Sequence, residues 1–146
     1  MPVSIMAEST LDRTDVKRRR RETILVVDDE PSIRELVGTI LGRAGYSVLV
    51  AANACEAASI FEGHHTEIDL IITDVWMPGV TGFHLVEQLL SIQPRLKCIL
   101  MSANDPPDLE CDVPFLRKPF SISQLLNGVV EALEQVEKGR QWGDRV

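Results

Sequence analysis

The segment ILVVDDEP, residues 24–31, joins an apolar run to an acidic pair and a proline. The β-branched residues in the run favour a strand over 24–28. Pro31 suits the first turn of a helix, because its missing amide hydrogen would be unpaired there anyway. Apolar positions then recur at spacings of three and four, at Ile33, Leu36, Val37, Ile40 and Leu41. A helix from 31 to about 44 is therefore predicted, with Gly45 as its C-terminal stop.

The same strand-then-helix pattern repeats along the chain. Further strands are predicted at 47–51, 69–73, 97–101 and 115–117, and further helices at 53–61, 83–92 and from 122 onward. Asn53 is expected to cap the second helix and Gly63 to end it, while Ser121 and Gln124 form a capping box before the last helix. The inner face of that last helix is predicted to be Ile122, Leu125, Leu126, Val129, Val130 and Leu133. Such alternation predicts an α/β fold, a doubly wound parallel sheet with right-handed crossovers.

Composition indicates a single globular domain. The chain has 146 residues, of which 45% are hydrophobic and 25% charged. Its apolar runs are too short for a membrane span, and the N-terminus lacks a signal peptide, so we expect no membrane span and a cytoplasmic location. The odd number of cysteines and the absence of CxxC spacing argue against a disulfide framework or a zinc site.

Charge is unevenly distributed. The run LysArgArgArgArg occupies residues 17–21, whereas the net charge of the whole chain is −7. Because residues 1–22 show no apolar periodicity, they are interpreted as a flexible basic arm. A solvated tail is the preferred reading and nucleic acid is not an expected partner, although a basic run of this kind can touch nucleic acid, lipid or an acidic protein. The folded domain is expected to span 23–138, followed by a disordered tail over 139–146.

Four polar side chains stand where short apolar runs end. Asp28 and Asp29 follow the first run, Asp74 follows LIIT, and Lys118 follows PFLR. Since the carboxyl ends of adjacent parallel strands converge on one crevice, these side chains are expected to meet there. Three carboxylates and one ammonium in a crevice predict a site for a divalent metal and a phosphoryl group.

The residue types narrow that chemistry. Clustered carboxylates require a cation to offset their repulsion, and Mg²⁺ fits best because it takes oxygen ligands together with water and phosphate. Aspartate is a competent nucleophile toward phosphorus. The Lys118 ammonium would balance charge on the phosphoryl oxygens, and the Ser102 hydroxyl would donate a hydrogen bond to one of them.

Four segments, in this order, carry a family resemblance: ILVVDDEP (24–31), IITDVWMPGVTG (71–82), LMSA (100–103) and LRKPF (116–120). Residues 23–137 thereby resemble the receiver domains of bacterial two-component response regulators. The resemblance implies a flavodoxin-like sheet of five strands in the order 2-1-3-4-5. It also implies Mg²⁺-dependent transfer of a phosphoryl group to Asp74 from the phosphohistidine of a sensor histidine kinase or phosphotransfer protein.

The resemblance assigns individual roles as well. Mg²⁺ would be held by Asp29, Asp74 and the backbone carbonyl of Trp76, with Asp28 acting mainly through a water. Lys118 would bind the phosphoryl group, and the Lys118-Pro119 bond would be cis. Ser102 and Phe115 would be the hydroxyl and aromatic switch residues. The protein would catalyse its own phosphorylation and dephosphorylation and would not act as an enzyme on other substrates.

Two departures from the family bear on mechanism. Trp76 is a bulky side chain two residues after the phosphoacceptor, which predicts slow autodephosphorylation. The interval 102–115 is shorter than usual and contains Pro106, Pro107 and Pro114. The family's fourth helix, between the fourth and fifth strands, is therefore predicted to be shortened or missing.

Other readings were weighed against this one. The three aspartates could be strand-end caps, but Lys118 and the order of the motifs argue against that. Nucleotide binding would need a glycine-rich motif after the first strand, which DDEPSIRE does not supply. A haloacid-dehalogenase-like phosphatase would need a second acid two residues after its nucleophile and a cap region. Glu30 stands two residues after Asp28, but Pro31 follows it at once and no cap region is expected. No output domain is expected after the last helix, so a downstream partner protein is implied. A receiver module derived from a hybrid histidine kinase, or a binding scaffold that is not phosphorylated, remains open.

Overall fold

Five strands and four helices alternate in the parts of the chain that the computed structural model describes, residues 21–104 and 113–134. The strands are β1 (Thr23–Val27), β2 (Ser47–Ala51), β3 (Ile68–Asp74), β4 (Lys97–Ser102) and β5 (Phe115–Arg117). The helices are α1 (Pro31–Arg43), α2 (Ala54–His64), α3 (Gly82–Ile92) and α4 (Ile122–Glu134). These bounds lie close to those predicted from periodicity.

The sheet is parallel throughout, and its strands follow the order β2-β1-β3-β4-β5. The α/β fold and the strand order predicted from the sequence are thus confirmed. Because β1 lies between β2 and β3, the winding of the chain reverses direction at this point. A sheet of this kind has its binding crevice outside the carboxyl ends of the strands at the reversal. Here those ends are Val27 and Asp74.

Helices cover both faces of the sheet, which explains why the central strands are apolar throughout. One face packs against α2 and α3 through Phe61, Leu85 and Leu89. The other face packs against α1 and α4 through buried side chains that include Leu41 and Leu125. The sheet is therefore held rigidly from both sides, and the residues that follow its strands are placed with precision.

Local signals in the sequence set most of the helix ends. Gly45 has φ of 104° and follows α1, as predicted for a C-terminal glycine. The Asn53 side chain accepts a hydrogen bond from the Glu56 N–H at 2.8 Å. The Ser121 and Gln124 side chains each accept from the other's backbone N–H, at 3.0 and 2.8 Å, which completes the predicted capping box.

The prediction that Gly63 ends the second helix is wrong. Helix α2 includes Gly63 and runs to His64. The next residue, His65, has φ of −59°, a right-handed conformation open to any residue type. The helix therefore ends without a left-handed turn, and no glycine is needed there.

The predicted inner face of the last helix was too wide. Ile122 and Val130 of α4 are 59% and 43% exposed, and Leu36 of α1 is 53% exposed. The fully buried stripe of α4 consists of Leu125, Val129 and Ala132. Since β5 has only three residues, the sheet beneath α4 is narrow and leaves the flanks of the helix in solvent.

Three predictions concern residues outside the described parts of the chain. The reduced helix between β4 and β5 falls largely on residues 105–112. Residues 1–20 contain most of the basic arm, and residues 139–146 are the predicted tail. Within the described ranges, no helix has the length and apolar character needed to cross a membrane.

Candidate functional site

The side chains singled out in the sequence meet at the carboxyl end of the sheet. Asp28 follows β1, Asp74 ends β3, Ser102 ends β4 and Lys118 follows β5. Carboxylate oxygens of Asp28, Asp29 and Asp74 all lie within 4.8 Å of one another. The parallel register produces this arrangement, because it brings the ends of β1, β3 and β4 level with one another.

Asp28 is the most tightly held of the three acids. It is fully buried, and its Oδ2 accepts a hydrogen bond from Lys118 Nζ at 2.8 Å. Its Oδ1 accepts from the Glu30 N–H at 2.9 Å, and its own N–H donates to the Ala51 carbonyl at 3.2 Å. A buried carboxylate with both oxygens hydrogen-bonded is an anchor for the lysine as much as a ligand for a cation.

Asp74 lies at the centre of the site with less support. It is buried, and its Oδ2 is 3.5 Å from Lys118 Nζ. Burial raises the pKa of Asp74 above its usual value, the Lys118 charge opposes that rise, and the charges of Asp28 and Asp29 add to it. When no metal is bound, ionisation of Asp74 therefore costs free energy, and a bound cation would reduce that cost.

Lys118 is shared among three carboxylates. Burial alone would lower the pKa of Lys118, but the hydrogen bond to Asp28 and the charges of Asp28, Asp74 and Glu30 raise it above its usual value. Glu30 Oε1 lies 3.8 Å from Nζ on an exposed side chain. The ammonium is thus firmly protonated and lies between the acidic pair and Asp74.

The donor set fits Mg²⁺. Asp29 is exposed, so its carboxylate is open to solvent beside the two buried acids. Mg²⁺ prefers oxygen ligands at about 2.1 Å and retains several waters, which places opposite ligands about 4.2 Å apart. Carboxylates within 4.8 Å of one another, with one of them facing solvent, need only a small closure to meet that geometry.

The remaining predicted residues surround this centre. Ser102 is fully buried, and its Oγ accepts from the Asn104 N–H at 3.0 Å. The Trp76 side chain is 50% exposed on the loop after β3. Phe115 is half-buried and packs against the core on the α2 and α3 side of the sheet. The Lys118-Pro119 peptide bond is cis. The carbonyl of Ser102 accepts from the Lys118 N–H at 2.8 Å, which ties the hydroxyl and the ammonium to one backbone ladder.

Two supporting contacts near Asp74 were not found from the sequence. The Thr73 hydroxyl donates to the Asp74 carbonyl at 3.0 Å. A Cβ added at Gly82 would lie 2.1 Å from the same carbonyl oxygen, so only glycine fits where α3 begins. In the loop before α3, positive φ is found at Gly79.

A third contact involves the first helix. Arg34 Nη1 donates to the carbonyl of Asp28 at 2.8 Å. No motif marks this arginine, because its role depends on the helix geometry that returns it to the end of β1.

Comparisons with known proteins agree with this geometry. The family model described as the response regulator receiver domain matches residues 24–130. The sensor kinase CckA of Brucella abortus is 35% identical over 119 residues, which are 77% of this chain and 13% of that protein. The chain spans about half or less of the length of the curated relatives it matches.

Solved structures give the same picture. The receiver domain of the hybrid histidine kinase CckA aligns with a TM-score of 0.69 and 35% identity, covering 77% of this chain and 99% of that one. The response regulator TrrA of Thermotoga maritima, solved in complex with Mg²⁺ and a beryllium fluoride, aligns with a TM-score of 0.70 and 34% identity over the same shares.

Proposed function

The chain belongs to the response regulator receiver domain family of two-component signalling, and we propose that it accepts a phosphoryl group on Asp74 in a Mg²⁺-dependent reaction. The observation that carries the proposal is the convergence of the Asp28 and Asp29 carboxylates and the Lys118 ammonium on the buried Asp74. Family members exchange phosphoryl groups with histidine kinases or phosphotransfer proteins. A phosphohistidine of such a protein is the proposed donor, and a protein partner is the proposed recipient of the signal.

Asp74 is the proposed nucleophile because of its place between the other groups. Asp28 is fully buried and bonded to Lys118 at 2.8 Å, so its oxygens are already occupied. Asp29 is exposed, so bulk water would reach a phosphoryl group attached to its carboxylate. Asp74 is the acid that is both screened from bulk water and only loosely paired, at 3.5 Å from Nζ.

In the proposed reaction an Asp74 carboxylate oxygen attacks phosphorus. The P–O bond forms while the P–N bond to the donor imidazole breaks, and the imidazole keeps the bonding electrons and takes up a proton. Lys118 would then turn from Asp74 toward an oxygen of the phosphoryl group, balancing its added charge. Ser102 would donate its hydroxyl hydrogen to another oxygen, a change that alters its bond with the Asn104 N–H.

The metal complements these residues. Held by these carboxylates, Mg²⁺ would supply positive charge that screens the approach of an anionic donor and offsets charge on the transferring group. Asp29 and Asp74 are the proposed direct ligands together with the Trp76 carbonyl, and Asp28 is proposed to act mainly through a water. The protein is proposed to catalyse its own phosphorylation and dephosphorylation and no reaction on a separate substrate.

Phosphotransfer profiling tests this function. The protein is incubated with a panel of autophosphorylated histidine kinases, with and without Mg²⁺, beside Asp74→Asn. Labelling of the wild type alone, and with Mg²⁺ alone, is the expected result. An absence of labelling from every kinase and from acetyl phosphate would favour a binding scaffold instead.

A second candidate within the same chemistry is the receiver module of a hybrid histidine kinase. It is favoured by the 35% identity to the receiver domain of the hybrid kinase CckA. In that case a phosphotransfer protein would exchange phosphoryl groups with Asp74 in both directions. Reverse transfer from phosphorylated protein to a purified phosphotransfer domain distinguishes the two candidates.

A further inference from the structure

The peptide unit between Asp28 and Asp29 accepts a hydrogen bond from a side chain of helix α1. Its carbonyl, which belongs to Asp28, accepts a hydrogen bond from Arg34 Nη1 at 2.8 Å. Arg34 lies in the second turn of α1, and its side chain reaches back to the end of β1. Its backbone N–H donates to the Glu30 carbonyl at 3.1 Å, so hydrogen bonds hold both the backbone and the guanidinium of this residue.

That peptide unit carries two metal-binding side chains, one on each flanking Cα. Asp28 has independent support from Lys118, from the Glu30 N–H and from the bond of its own N–H to Ala51. The Asp29 carboxylate is exposed and has no hydrogen bond or ion pair among the residues that the structure describes. The direction of the Asp29 side chain therefore depends on the position of its backbone. The peptide that joins Asp28 to Asp29 is part of that backbone, and Arg34 donates a hydrogen bond to its carbonyl.

We propose that Arg34 is a positioning residue for Mg²⁺ binding, acting through the Asp28 carbonyl to aim the Asp29 carboxylate at the site. The inference rests on the proposed function, since it presumes that the three acids bind Mg²⁺. Groups that orient metal ligands typically change metal affinity by about 10- to 100-fold when they are removed. Arg34 does so through a backbone peptide, and it contacts neither the metal nor the phosphoryl group.

A purely electrostatic role for Arg34 makes the opposite prediction. A guanidinium bonded to the backbone of the site repels a divalent cation, so removing its charge would strengthen Mg²⁺ binding. Removing a positioning bond instead weakens it. The sign of the change therefore separates the two roles, whatever its size.

Mg²⁺ titration of four proteins tests the proposal. Each is made with Trp142→Phe, so that Trp76 is the remaining tryptophan, and binding is followed by its fluorescence. The proteins are the unchanged chain, Arg34→Met, Arg34→Lys and Arg43→Met. Methionine has similar length without charge or donors, lysine keeps the charge on a shorter reach, and Arg43→Met removes the same charge from the far end of α1.

We expect Arg34→Met to weaken Mg²⁺ binding by about 10-fold, Arg34→Lys to weaken it less, and Arg43→Met to leave it within about twofold. Thermal midpoints without Mg²⁺ identify a variant that has lost its fold. Should Arg34→Met unfold, Arg34→Lys decides alone, since it is expected to weaken binding while the protein remains folded.

Binding by Arg34→Met that equals or exceeds that of the unchanged chain would overturn the positioning role, as would unaltered affinity in a folded Arg34→Lys when Arg34→Met is unfolded. Loss of equal size in Arg43→Met would also do so. If the unchanged chain itself shows no response to Mg²⁺ by fluorescence or calorimetry, the proposed function fails first and the inference fails with it.

Discussion

At the scale of single residues, Lys118 determines how charge is balanced in the site. Its ammonium bonds to Asp28 at 2.8 Å and lies 3.5 Å from Asp74 and 3.8 Å from Glu30. A buried ammonium among three carboxylates is stable because each acid offsets part of its desolvation. Of the two buried acids, Asp74 is the more loosely paired with the lysine and so the more available for chemistry.

Asp74→Asn is expected to stabilise the protein when Mg²⁺ is absent. Burial is the main cause of the raised pKa of Asp74, so ionisation of this group lowers stability in the folded state. The wild type is free of that cost below the pKa of the unfolded chain, near 3.9, and bears it fully once the pH exceeds the raised folded value. Thermal unfolding in EDTA at pH 7 should show a midpoint a few degrees higher for Asp74→Asn, with the difference vanishing near pH 3.

Asp69→Asn is the control for that comparison, because Asp69 lies at the opposite end of β3 and accepts a bond from the Thr23 N–H. It should not raise the midpoint at pH 7. A wild type that is more stable than Asp74→Asn in EDTA at neutral pH would contradict the charge balance described for the site.

Trp76→Ala is expected to shorten the lifetime of the phosphorylated protein several-fold. The indole lies on the loop that follows Asp74 and, although 50% exposed, can restrict the approach of water to the aspartyl phosphate. Loss of label is followed after removal of the donor. Val80→Ala removes a 44% exposed side chain from the same loop and serves as control. Equal decay rates in all three proteins would refute the shielding role.

At the scale of elements, helix α3 begins in direct contact with the backbone of Asp74. Gly82 is the first residue of α3, and its N–H donates to the Val75 carbonyl at 2.8 Å. The Thr81 hydroxyl caps the helix by accepting from the His84 N–H at 3.1 Å. The loop between β3 and α3 is thereby closed at its base, and the spacing between Asp74 and the helix is fixed.

Gly82→Ala is expected to destabilise the protein by about 3 kcal/mol. The new methyl group would lie 2.1 Å from the Asp74 carbonyl oxygen, so α3 or the end of β3 must move. Gly63→Ala is the matched control, since that glycine lies in α2 with nothing within 4 Å of the added Cβ. The control should gain up to about 1 kcal/mol from helix propensity. Urea denaturation measures both, and equal stability of the two variants would disprove the close approach.

Most elements were predictable from sequence because each carries a local signal. Asn53 and the Ser121 and Gln124 pair fix two helix starts through bonds between neighbours in the chain. Gly63 misled because a glycine near the end of an apolar pattern favours a helix stop, while the φ of −59° at His65 shows that no left-handed turn is formed. Ile122 and Val130 misled because periodicity gives the apolar side of a helix but not the width of the surface beneath it.

At the scale of the whole molecule, Mg²⁺ is expected to stabilise the fold. A ligand that binds the native state at 100 times its dissociation constant adds about 2.7 kcal/mol to the free energy of unfolding. Thermal unfolding of the wild type should therefore shift upward with Mg²⁺ and much less in Asp29→Asn, which lacks a proposed direct ligand. NaCl at matched ionic strength is the control for screening. An equal shift in both proteins would place the cation elsewhere.

The side chains of the site could be predicted from the sequence more completely than the contacts that hold them in place. Asp28, Asp74, Ser102 and Lys118 each follow or end a strand, so the strand order alone brings them together. Arg34 and Gly82 contact the site through main-chain carbonyls, at 2.8 Å for the arginine and with no room for a Cβ at the glycine. Such contacts depend on the path of the backbone in three dimensions, for which a sequence pattern carries no mark.

The Asp74 backbone is supported on the side of Thr73 and the start of α3. The Thr73 hydroxyl bonds to the Asp74 carbonyl, and Gly82 leaves no room for a Cβ beside it, so this peptide has little room to move in the proposed phosphorylated state. We expect the response to phosphorylation to fall on the other side of the site, at Ser102 and its bond to Asn104. The expected response is therefore asymmetric, with the β3 to α3 junction staying in place while the end of β4 moves.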